Sequence, residues 1–118
     1  LRRVGVPLAV ATSTARPRVL PLMEEAGILK RFEFLLCGDE VDKPKPDPEI
    51  YLKTIGRLAV APENCLVLED SLAGVTAAHA AGARVIMVPD LIEPDPKARA
   101  MASRIFASLI DVRKYLGL

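Results

Sequence analysis

The chain has 118 residues, of which 51% are hydrophobic and 26% charged, a composition that fits one compact globular unit and excludes a disordered tail. Sixteen basic against fifteen acidic side chains leave a net charge of +1, so the charge balance gives no reason to expect nucleic acid or an anionic membrane as a partner. The longest runs free of Asp, Glu, Lys and Arg are Val4 to Ala15 and Ser71 to Ala83, shorter than the roughly 18 to 20 apolar residues that span a bilayer.

Leu1-Arg2-Arg3 before Val4 to Ala11 has the charge order of a leader peptide, but Gly5, Pro7 and the polar Thr12-Ser13-Thr14 break the apolar run. The first strand is expected over Leu8 to Ala11, followed by a helix over roughly Arg16 to Ala26 that Gly27 closes. A second strand, Phe34 to Cys37, leads into a loop holding Lys43 and Lys45. Asp47 can cap the next helix with Pro48 at its first position, and Ile50, Tyr51, Ile55 and Leu58 fall on one side of it. Cys65 to Leu68 reads as the third strand. Ser71 caps a helix, Ala73 to Ala81, built of small residues that let its backbone lie close to a sheet, and Gly82 ends it. Arg84 to Val88 is a fourth strand, Pro89 to Pro96 a loop, Arg104 to Ala107 a weaker fifth strand, and Ser108 to Asp111 a capping box opening a last helix to Leu116.

Strands alternating with helices indicate an α/β fold with a parallel sheet, and several of these strands are continuously apolar, as expected when both faces are covered. The whole of 1–118 is read as one domain portion, without repeat or linker. Cys37 and Cys65 form no Cys-x-x-Cys pair and are expected as buried free thiols in a reducing cytoplasm. His79, alone on an alanine-rich helix, receives no role.

In an open parallel sheet, ligands bind beyond the carboxyl ends of the strands. Thr12-Ser13-Thr14, the Lys43–Lys45 loop and Glu69-Asp70 all follow strands, so hydroxyls, an ammonium and two carboxylates should meet at one edge. Adjacent carboxylates leaving an apolar strand require a cation. Magnesium suits them, because it takes oxygen ligands and is commonly held by one or two carboxylates together with phosphate oxygens. Lys45 would add a point charge to the same phosphate and Thr12 a hydrogen bond. Each residue also fits a plainer role when taken singly: Glu69 and Asp70 as first-turn acids of a helix, Lys45 as a solvated loop lysine, Thr12 and Ser13 as caps. Their joint order and spacing favour the site.

That order resembles the haloacid dehalogenase-like (HAD) hydrolases, in particular the branch of β-phosphoglucomutase and small sugar-phosphate phosphatases. The likeness runs from Leu8 to about Asp90 and is carried by Leu8-Ala-Val-Ala-Thr12-Ser-Thr, Lys45-Pro-Asp-Pro-Glu-Ile-Tyr51 and Leu66-Val-Leu-Glu69-Asp70-Ser-Leu-Ala-Gly74. Lys43 offers a second frame for the lysine motif but places the aromatic two residues too late. The resemblance implies a three-layer Rossmann-like core with helices on both faces of the sheet, a phosphate held by catalytic Thr12 and Lys45, and Mg2+ held by Glu69 and Asp70. It places Ser13, Thr14 and Arg16 within reach of substrate, and it implies a small phosphorylated metabolite, such as a sugar phosphate, as substrate of a cytoplasmic phosphatase or phosphomutase.

The chain departs from the family in one respect. No Asp-x-Asp pair occurs anywhere in it, and Asp39, Asp42, Asp47, Asp90 and Asp95 lie outside any suitable strand end. The family's aspartyl nucleophile and general acid, its central strand and its cap domain are therefore expected to lie outside these residues. The fragment alone should be inactive, with two strand flanks left for a missing N-terminal segment, a second chain, or each other to fill. A phosphoryl-accepting receiver domain fits the residue types but places its acid pair early and its lysine late. A non-catalytic dinucleotide-binding or interaction module would show Gly-x-Gly-x-x-Gly after the first strand, and none is present.

Overall fold

The computed structural model describes residues 4–118, so the leader-like Leu1-Arg2-Arg3 lies outside the described residues. Five short strands alternate with helices, all paired in parallel: β1 (Ala9–Ala11), β2 (Phe34–Leu36), β3 (Leu66–Glu69), β4 (Arg84–Met87) and β5 (Arg104–Ile105). Each falls within one residue of an expected run or inside it. They form two sheets and not one. β1 pairs with β2, with Val10 opposite Leu35, while β4 lies between β3 and β5, with Val67 opposite Val85 and Met87 opposite Ile105. Among the described residues nothing pairs with the other edge of β1 or of β3.

Alternation along the strands sends side chains into two layers. Ala11 and Leu36 join Val67, Val85 and Met87 in the main core, which is closed by α2 (Glu49–Leu58), α3 (Leu72–Ala80) and α4 (Pro96–Met101). One core therefore ties the two sheets together. On the opposite side of the first sheet, Val10, Leu35 and Cys37 pack with Met23 and Val19 of α1 (Arg16–Glu25). Helices thus cover both faces of β1 and β2. Coverage of both faces, expected for several of the strands, fails at β3: Val67 and Glu69 turn toward the core side, whereas Leu66 and Leu68 remain 40% and 39% exposed. β3 packs against β4 and α3, and the Leu66 and Leu68 side stays open beside the unpaired edge.

The helix ends follow their capping residues. The Ser71 hydroxyl accepts the Gly74 N–H at 3.1 Å, and Ser108 accepts the Asp111 N–H at 3.2 Å while donating to that aspartate's carboxylate at 2.7 Å, opening α5 (Leu109–Tyr115). Gly82, at φ +81°, reverses the chain after α3 in a left-handed conformation that glycine adopts without a Cβ penalty. Two expectations shift. Pro48 is the N-cap of α2, so the helix starts one residue later; Asp47 still caps it from one position further out, accepting the Glu49 N–H at 3.0 Å. The loop Pro89 to Pro96 also ends in a short helix, α4, capped by Asp95, which accepts the Ala98 N–H at 2.8 Å. Cys37 and Cys65 are buried free thiols, as expected, and His79 is exposed. No helix among the described residues is long and apolar enough to cross a membrane.

Candidate active site

An open cleft of about 630 Å³ lies where β1 and β3 face each other across the break between the sheets. Ala11, Thr12, Ser13 and Thr14 line one wall, Leu68, Glu69, Asp70 and Ser71 the other, and Lys45 the floor between them. Six of the seven site residues expected from the sequence therefore converge. Arg16 does not line the cleft: its guanidinium donates to the Leu35 carbonyl at 2.7 Å and to Glu40 at 2.8 Å, and its backbone N–H donates to the Asp39 carboxylate at 3.0 Å. These bonds tie the start of α1 to β2 and the loop after it.

The first wall is held by its backbone. Thr12 continues the ladder by donating its N–H to Leu36 O at 3.0 Å, and its hydroxyl accepts the Thr14 N–H at 3.1 Å. The Thr14 carbonyl accepts the Gly38 N–H at 3.0 Å. A Cβ on Gly38 would stand 2.1 Å from the Ser13 carbonyl oxygen, so this close approach of two strand-end loops requires glycine. Ser13 is exposed, and Thr12 and Thr14 are half-buried.

The floor is an ionic knot. Lys45 Nζ donates to Glu69 Oε1, with side chains only 10% and 6% exposed, and also reaches the Ala11 carbonyl at 3.4 Å. Tyr51, from the first turn of α2, donates its hydroxyl to the same Glu69 oxygen, and the Lys45 ammonium lies 4.9 Å from the centre of its ring. Burial, and then the neighbouring Glu69 charge, push the Tyr51 phenol well above its ordinary range, which keeps it an O–H donor. Glu69 Oε2 accepts the Asp70 N–H at 3.2 Å. A Cβ on Gly74 would stand 2.0 Å from the Glu69 carboxylate, so α3 offers that carboxylate its berth through a missing side chain.

Asp70 differs from its neighbour. It is exposed at the cleft wall, and no hydrogen bond or ion pair among the described residues holds its carboxylate. One open carboxylate beside threonine hydroxyls and a lysine is a donor set that fits a hard divalent cation sharing a phosphate, since such ions keep several waters and need few protein ligands. Three other ligand-type groups, Cys37, Asp39 and Glu40, lie within 4.8 Å of one another behind β2. Arg16 already neutralises Glu40 there, and burial pushes the Cys37 thiol up and away from thiolate.

The sequence reading gave Tyr51 only a packing role and Gly74 none. Their signal was present in the lysine and acidic motifs, at six residues after Lys45 and five after Glu69.

Comparison with known proteins agrees with this geometry. The family model for haloacid dehalogenase-like hydrolases matches residues 1–88, which holds the three motifs that build the cleft. A phosphorylated carbohydrates phosphatase of Thermotoga maritima is 46% identical over 77 residues, covering 65% of this chain and 36% of that protein. A bifunctional riboflavin kinase/FMN phosphatase of Arabidopsis thaliana is 39% identical over 113 residues, covering 92% of this chain and 29% of its own length. The crystal structure of CbbY from Rhodobacter sphaeroides in complex with phosphate superposes with a TM-score of 0.86 at 36% identity, over 94% of this chain and 50% of that one. The chain thus spans about half or less of the relatives it matches. With 88 of its residues matched and the fold shared, the chain belongs to the haloacid dehalogenase-like hydrolase family.

Proposed function

We propose that this chain forms the phosphate- and metal-holding half of a phosphatase or phosphomutase site acting on a small phosphorylated metabolite, of which a sugar phosphate is the favoured class. The observation that carries the proposal is the convergence of Thr12, Lys45 and Asp70 on one cleft between two sheet edges. Phosphoryl transfer asks a protein mainly for positioning and charge neutralisation, and these residues supply both. The Thr12 hydroxyl would hydrogen-bond the phosphoryl oxygens, and the Lys45 ammonium would balance their charge. Of the expected metal pair, Asp70 would hold Mg2+ directly, while Glu69, whose Oε1 is taken by Lys45 and Tyr51, would fix the charge balance beside it instead of ligating the ion. A bound Mg2+ would supply further neutralisation of the phosphoryl oxygens. Ser13 and Thr14, on the same wall, would meet the substrate. Arg16, bound to Glu40 and Leu35, would act on the substrate only by holding that wall in place.

The chain contains no Asp-x-Asp pair, so the nucleophile would come from a segment outside it. The same segment would supply a strand for the unpaired edges of β1 and β3, placing the attacking carboxylate between Thr12 and Asp70; a second chain could fill the same gap. Expression of the reading frame extended upstream of Leu1 tests the proposal with a phosphate-ester reporter. Magnesium-dependent turnover is expected, with none from the 118 residues alone and a loss of about 100-fold in Asp70→Asn. Undiminished turnover in Asp70→Asn would remove the metal assignment.

A further inference from the structure

The buried oxygen Glu69 Oε1 accepts two donors, Lys45 Nζ and the Tyr51 hydroxyl, and both donors are themselves enclosed. An ammonium has three N–H groups. Lys45 directs one at Glu69 and one at the Ala11 carbonyl, leaving a third for the cleft that it lines. How strongly that third N–H attracts an anion depends on how much of the ammonium charge Glu69 already cancels. A hydrogen bond from a neutral donor disperses carboxylate charge, and in a site of low dielectric the effect is larger than in water. The Tyr51 ring also stacks against the ammonium at 4.9 Å, and that contact does not require the hydroxyl. Hydroxyl and ring can therefore be separated by experiment.

We propose that Tyr51 is a positioning residue that sets the anion affinity of Lys45: its hydroxyl takes up part of the Glu69 charge and so keeps the lysine electropositive toward phosphate. This inference rests on the phosphate reading given above and goes beyond it, because Tyr51 touches no ligand and acts through Glu69. Without the hydroxyl, Glu69 draws more heavily on Lys45, and the lysine is held on the carboxylate instead of serving the cleft.

Inorganic phosphate titrated into the full chain and followed by 31P NMR is the test. Tyr51→Phe keeps the ring and should raise the phosphate dissociation constant about fivefold, less than the roughly tenfold or more expected for losing a charge-assisted bond to the phosphate itself, because the effect is relayed through Glu69. Lys45→Met should abolish binding. In a Glu69→Gln background the same Tyr51→Phe change should have no further effect, since the group through which it acts is gone; a merely structural tyrosine would cost the same in both backgrounds. Equal phosphate affinity in wild type and Tyr51→Phe, with Lys45→Met still abolishing binding, overturns the role of Tyr51 and leaves the phosphate site standing. No phosphate binding by wild type overturns both.

Discussion

At the scale of single residues, the site depends on atoms that are missing as much as on those present. Gly74 is the clearest case, because any Cβ there would occupy the space of the Glu69 carboxylate. Gly74→Ala must push Glu69 off Lys45 and Tyr51 or move α3 away from β3. Overpacking of this kind costs about 1 to 3 kcal/mol, to be read from urea denaturation of the variant against wild type. Unchanged stability together with unchanged phosphate affinity would show that Glu69 is not held as described. Thr12, Lys45, Glu69 and Asp70 could be read from the sequence because each directly follows a strand or sits in a short motif, and strand ends are where an open sheet gathers its chemistry. Tyr51 was legible as an apolar helix position, but its hydroxyl partner lies 18 residues away on another element. Periodicity shows which face is buried and says nothing of which polar atom waits there. The bonds of Arg16 to Leu35 and Glu40 were hidden for the same reason: these partners become its neighbours only when β1 and β2 pair.

At the scale of elements, the loop that delivers Lys45 is held by the helix that follows it. Glu49, in the first turn of α2, accepts the N–H groups of Asp42 at 3.0 Å and Lys43 at 2.8 Å and pairs with Lys53 at 2.7 Å. Lys53 first, and then the two backbone N–H groups, bring the Glu49 carboxyl down to about 2 from its ordinary 4.5. A carboxyl lowered on folding stabilises the native state above its unfolded value and loses that contribution as pH falls through the native one. The stability gap between wild type and Glu49→Gln should therefore be full at pH 6 and shrink as pH falls from 4.5 to 2, measured by chemical denaturation along that range. A gap that stays constant with pH would contradict the assignment. Most elements were legible from caps and apolar runs; α4 was not. It is only six residues long and follows a proline-rich loop, so no hydrophobic period could build up, and its signal reduces to Asp95 before Pro96.

At the scale of the whole molecule, one core joins two parallel sheets whose inner edges carry the site but do not pair with each other. The division was foreseeable from the family resemblance, which implies a central strand outside these residues and two strand flanks left beside the gap. The exposure of Leu66 and Leu68 was not, since an apolar run looks the same whether one face or both are covered. Both features fit the proposed half-site, with Thr12, Lys45 and Asp70 lining one cleft. Calorimetric titration of inorganic phosphate into the 118-residue chain, with and without magnesium, tests this most directly. Magnesium is expected to tighten phosphate binding to wild type, and Asp70→Asn to remove this gain while leaving the magnesium-free affinity within about twofold, a shift of about 0.4 kcal/mol. Phosphate binding that ignores magnesium in wild type, or a gain that survives in Asp70→Asn, would contradict it.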